Sequence, residues 1–164
     1  MTRPILLIFF VTTIVHFGLG QDVLQIVDDQ FAEHPFEIDL SPSTIHNVVP
    51  GKIATEKKAE PNKHTADIDT LLVFKSSNDE FTFLKTTDKI WFVEALITSR
   101  DIRLAKGIRI GLAKGSFIKI FTADEKLNDT NPIIVTNSIG YGFYHSFYFE
   151  KGKLAKIVLN SWPD

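Results

Sequence analysis

Residues 38–49 and 110–121 carry one apolar pattern twice. Ile38, Leu40, Ile45, Val48 and Val49 return as Ile110, Leu112, Phe117, Ile120 and Phe121, each pair 72 positions apart. Further along, Phe81, Phe83 and Lys85 return as Phe147, Phe149 and Lys151 at a separation of 66. Two copies of one short design, neither able to bury an apolar face alone, have to share a core. The doubling therefore constrains architecture before it says anything about chemistry. The expectation is a single domain, 21–164, made of two tandem units, 36–98 and 108–162.

Residues 1–20 read as a signal peptide preceding that domain. Arg3 gives a short positive start, and residues 5–15 are an almost unbroken apolar run, short for a bilayer span. Gly18 and Gly20 supply the small residues of a cleavage site. The mature chain is accordingly expected in the periplasm or secreted. Removing Arg3 takes the formal charge from −2 to −3, and the chain has no cysteine. An exported domain without disulfides rests on core burial, for which the remaining 144 residues suffice. Thiol nucleophiles, cysteine zinc sites and iron–sulfur clusters are excluded. The balance of 18 basic and 20 acidic residues speaks against a nucleic-acid surface, which needs clustered cations. Membrane contact is expected only through the signal segment.

Along the mature chain, Leu24, Val27 and Phe31 fall at helical spacing and predict a helix over 22–34, ended by Pro35. Ser41 and Pro42 open a second short helix with a stripe of Ile45, Val48 and Val49, stopped at Pro50 and Gly51. Residues 52–69 are polar without a period and read as an exposed loop. Strands follow at 70–75, 80–85 and 90–98, the last two forming a hairpin. After a basic link at 99–107, the plan returns: an extended stretch at 108–112, a helix with Phe117, Ile120 and Phe121, a polar loop at 123–131, and a strand at 132–137. A closing hairpin, 143–150 and 154–161, turns at Gly152, where a positive φ is expected. Helix, strand and hairpin twice over predict an α+β fold: two tandem α-β-β-β repeats forming one antiparallel sheet with short helices packed on one face.

The run Ile108-x-Ile110-Gly111-Leu112, a short helix, and a meander ending Phe147-x-Phe149-x-x-Gly152-Lys153-Leu154-x-x-Ile157 resemble the outer-membrane assembly lipoprotein family BamE/SmpA. The tandem duplication resembles the β-lactamase inhibitor protein fold. The resemblance covers nearly the whole mature chain as a pattern. It implies an exported, non-catalytic protein that works by protein–protein contact. The chain departs from the first family in lacking a lipid-anchor cysteine and from the second in lacking disulfides.

The residues themselves offer little catalytic chemistry. His64 and Asp67 form an H-x-x-D within the polar stretch, and His145 alternates with Phe143, Phe147 and Phe149 on one strand face. No metal site or cofactor is expected, because a metal needs three or four converging ligands. A glycosylation sequon starts at Asn128. If Phe147, Phe149, Trp91 and Val93 pack inward, the opposite sheet face presents Phe92, Glu94, Tyr144, Tyr148 and Lys156. Aromatic side chains with scattered charge suit a binding surface, since tyrosine gives contact area at small rotamer cost. The expectation is an exported, non-catalytic binding protein whose partner is another envelope or extracellular protein. The polar stretch 52–69 or a second copy of the chain is the other candidate cover for this face. The alternative is a small hydrolase or ligand-binding module using His64 and Asp67, or His145.

Overall fold

The structure is a computed structural model that describes residues 24–62, 65, 67–121, 131–139 and 142–161. The signal segment, His64 and the sequon at Asn128 lie outside the described residues.

The chain runs β1 (Leu24–Val27), α1 (Asp29–Glu33), a 3-10 turn (Ile45–Asn47), β2 (Ala54–Pro61), β3 (Ile68–Ser76), β4 (Asp79–Lys85) and β5 (Ile90–Ile97). A second 3-10 turn (Ala105–Gly107), α2 (Lys114–Phe121), β6 (Ile133–Thr136), β7 (Tyr144–Glu150) and β8 (Lys153–Asn160) complete it. All described strands belong to one sheet in the order β1-β6-β7-β8-β5-β4-β3-β2. The meanders β2 to β5 and β6 to β8 meet through their last strands, Glu94 to Ile97 facing Ile157 to Asn160. Every pairing is antiparallel except β1 with β6, so the sheet is mixed.

This corrects the expected α+β architecture. The protein is mostly β, and its described α-helices are one of five residues and one of eight. Three local departures account for the difference. Over 22–34, Leu24 and Ile26 are spaced two apart as well as being near Phe31, and they pair with Ile133 and Val135. Helix is left only to Asp29–Glu33, whose N-terminus is capped by Asp28 Oδ1 accepting the Phe31 N–H at 2.9 Å. The stripe at Ile45, Val48 and Val49 forms a 3-10 turn. The polar stretch 52–69 holds an edge strand, β2, paired with β3 along its whole length. Among the described residues, the unit 36–98 thus has four strands and a 3-10 turn, where the unit 108–162 has an α-helix and three strands.

The apolar core lies on one side of this sheet. Phe81, Phe83, Phe147, Ile157 and Leu159 point into it from the strands. Phe31, Phe36, Ile45, Ile102, Leu104 and Phe117 meet them from the segments between strands. The Phe117 ring lies 4.7 Å from that of Phe147 and 5.3 Å from that of Phe149, centre to centre. Each such ring buried contributes about 1.5–3 kcal/mol of transfer free energy, which is what a cysteine-free domain must rely on. Among the repeated positions, Ile45 and Phe117 are both fully buried, whereas Ile38 is exposed and Ile110 is buried.

Candidate functional site

The other side of the sheet is set by strand register. Tyr148 stands opposite Lys156 and Ser146 opposite Val158 across β7 and β8. Across the central seam Leu96 faces Val158 and Glu94 faces Asn160, and Glu94 also faces Thr82 of β4. Side chains alternate along a strand, so these residues project away from Phe147, Ile157 and Phe81. Tyr144 shares that side of β7. Tyr144 is 47% exposed and Leu96 36%. Lys156 Nζ lies 4.0 Å from the centre of the Tyr148 ring. The result is a surface of aromatic, aliphatic and singly placed charged groups over the middle strands.

Of the five residues expected there, Glu94, Tyr144, Tyr148 and Lys156 are gathered on this face. Phe92 is a correction. Its ring packs 5.8 Å from Phe83 and 6.0 Å from Phe36, on the core side. The cause is a β-bulge: Thr82 pairs with Glu94 but Phe83 pairs with Phe92, leaving Val93 without an opposite number. The extra residue reverses the alternation for 90–92. Trp91 consequently faces Leu84, is 40% exposed and carries Lys89 Nζ 5.0 Å above its ring. Alternation along β5 had assigned Trp91 to the core. No feature of β5 itself marks the bulge, which arises from its pairing with β4.

Of the enzymatic alternative, His64 lies outside the described residues, and Asp67 and His145 do not share a site. Asp67 is exposed and accepts the Thr65 hydroxyl at 3.1 Å. His145 is fully buried in the core, with both ring nitrogens engaged: Nε2 donates to Ala32 O at 2.8 Å and Nδ1 accepts the Asn160 N–H at 3.2 Å. Burial pushes its pKa down to about 4, opposed by the bond to Ala32. A neutral imidazole so held has neither a free lone pair nor access to a substrate. His34 Nδ1 lies 4.0 Å from Asp39 Oδ1, both exposed. They rim a groove of about 340 Å³ that is otherwise mainly apolar, where Ile38, Ile90 and Trp91 meet. Ser161 lines the same groove, and its Oγ is buried without a hydrogen-bond partner among the described residues. Among the described residues, no three His, Asp or Glu side chains converge to hold a metal.

Comparison with family models, with curated proteins and with solved structures found no match for this chain.

Proposed function

We propose that this is an exported, non-catalytic binding protein that docks another envelope or extracellular protein on the open face of its sheet. The observation that carries the reading is the pairing of a phenylalanine-rich buried face with an opposite face bearing partly exposed Tyr144, Leu96 and Trp91. Eight strands at ~4.8 Å spacing make a face about 34 Å across, a breadth suited to the ~800 Å² per partner of a standard interface. Isolated charges such as Glu94 and Lys156 among aromatic groups fit the polar and apolar mixture of such interfaces. The resemblance to the BamE/SmpA and β-lactamase inhibitor protein families belongs to the same reading, as does export under the signal at 1–20.

The test is site-specific photo-crosslinking. A photoreactive phenylalanine analogue at Tyr144 or Leu96 is expected to capture one protein species from envelope or extracellular fractions. The same group at Thr55, on edge strand β2, should not. Capture should also fall when Tyr148→Ser and Lys156→Ala are added. An adduct at twice the chain's own mass would replace the foreign partner with a second copy. Equal capture from Thr55 would remove the face from the proposal altogether.

A further inference from the structure

Arg100, Arg109 and Lys153 line one concavity of about 440 Å³ whose floor is the backbone of residues 110–113. Three different parts of the chain bring them there: the link after β5, the stretch before α2, and the start of β8. The floor is fixed by hydrogen bonds to the β8 end of the closing hairpin. Gly111 N–H donates to Leu154 O at 2.7 Å, Leu154 N–H to Leu112 O at 2.8 Å, and Lys114 N–H to Gly152 O at 2.9 Å. Gly111 has φ +91°, a conformation that glycine adopts without steric penalty. A side chain at Gly111 would place its Cβ 3.7 Å from Arg100 Nε, so the guanidinium lies close above the Gly111 backbone.

None of the three cations makes an ion pair or hydrogen bond among the described residues, although other lysines of this protein do. Lys75 binds Glu56, and Lys106 binds Asp28. Glu150 stands opposite Lys153 in the hairpin register without forming an ion pair with it. The charge is local. Residues 99–114 hold five basic side chains and one acidic one, in a chain whose net charge is −2. Unpaired like charges held around one hollow repel one another, and an anion removes that repulsion.

We infer that this concavity is a binding site for a phosphate or sulfate monoester. Two guanidinium forks and one ammonium suit a tetrahedral oxyanion better than a carboxylate, both of whose oxygens a single fork already engages. A tetrahedral oxyanion ester has three terminal oxygens for them. The volume lies in the usual range for small-ligand sites, which leaves room for an organic group beyond the anion. The site shares no residue with the sheet face and does not depend on the function proposed for it.

The experiment is titration of the purified protein with phenyl phosphate, phenyl sulfate and benzoate at low salt, followed by calorimetry and amide chemical shifts. The esters are expected to bind saturably and at least tenfold more tightly than benzoate, shifting the amides of 110–113. Arg100→Gln with Arg109→Gln should weaken that binding tenfold or more at unchanged melting temperature. Arg100→Lys, which keeps the charge and loses the fork, should fall between. Lys85→Gln, at the far end of β4, should leave binding as it was. A second arm uses phosphatidylcholine vesicles with and without phosphatidic acid. Retention only on the acidic vesicles, lost in the double variant, assigns the ester to a lipid headgroup; binding of the soluble esters alone assigns it to a soluble molecule. Ester binding no stronger than that of benzoate, or undiminished in the double variant, overturns the inference.

Discussion

Lys156 lies directly across the β7–β8 pair from Tyr148, its Nζ 4.0 Å from the centre of the phenol ring. The pair sits on the side of the sheet away from the core, while the next residue on each strand, Phe147 and Ile157, is fully buried. Two adjacent positions on one strand thus have opposite energetic roles. Tyr144→Ser and Tyr148→Ser are expected to cost about 1 kcal/mol or less each, and Lys156→Ala about 0.5–1 kcal/mol. Phe147→Ala should cost about 3–5 kcal/mol. Urea denaturation at constant m-value measures all four. Losses at the tyrosines equal to the loss at Phe147 would put the rings in the core.

Stability should fall in mild acid through His145. Its pKa is 6.5 unperturbed and about 4 when folded, so the unfolded chain takes the proton first. The sign follows: full stability above pH 6.5, progressive loss as pH falls from 6.5 to 4, and no further loss from this group below that. The total is about 3 kcal/mol at 1.36 kcal/mol per pH unit. Replacing His145 with Asn should lower stability at pH 7 and flatten this slope. Denaturation midpoints of both proteins at pH 7, 5.5 and 4 provide the comparison, and parallel curves would refute the assignment.

Asp79 is a buried carboxylate at the start of β4 that ties down the end of β5. Its Oδ1 accepts the Thr98 N–H at 2.6 Å, the Thr98 hydroxyl at 3.2 Å and the Ser99 N–H at 3.0 Å. Asp79→Ala leaves two backbone donors unpaired and is expected to cost about 2–4 kcal/mol, with Asp79→Asn milder because it keeps an acceptor. Hydrogen exchange at Thr98 and Ser99 should speed up in step with the thermal shift. Unchanged exchange there would mean these bonds do not hold the strand end.

Gly152 turns the closing hairpin at φ +73° with open space where a side chain would go. The cost of Gly152→Ala is then purely conformational, about 1–2 kcal/mol. Asn tolerates the left-handed region, so Gly152→Asn should lose less than Ala does. A thermal melt of the three proteins ranks them, and Asn falling below Ala would contradict the backbone explanation.

The hairpins were legible because their strands alternate and their turns are marked. Phe81 and Phe83 announced β4, Phe147 and Phe149 announced β7, and Gly152 announced the turn between β7 and β8. β2 was not legible: an edge strand has only one neighbour, and Glu56, Lys57, Lys58 and Glu60 are the charged residues that keep such an edge from recruiting another. β1 was hidden because Leu24, Val27 and Phe31 fit a helical period while Leu24 and Ile26 fit a strand. Only the distant partners Ile133 and Val135 decide between them. Four members of the candidate face could be read from alternation. Phe92 and Trp91 exchanged sides because a bulge belongs to a pair of strands and leaves no mark in either alone. The three cations of the hollow beside Gly111 lie too far apart in sequence, at 100, 109 and 153, for any local pattern to unite them.

Among the described strands β1 has a single neighbour, and Leu24 meets Ile133 across 109 positions of chain. A polypeptide made or threaded from its N-terminus presents this strand well before β6. Loop closure over such a span is slow compared with the neighbouring hairpins. β1, with its exposed Val27, therefore waits unmated while β2 to β5 pair, and is seated only once β6 has followed.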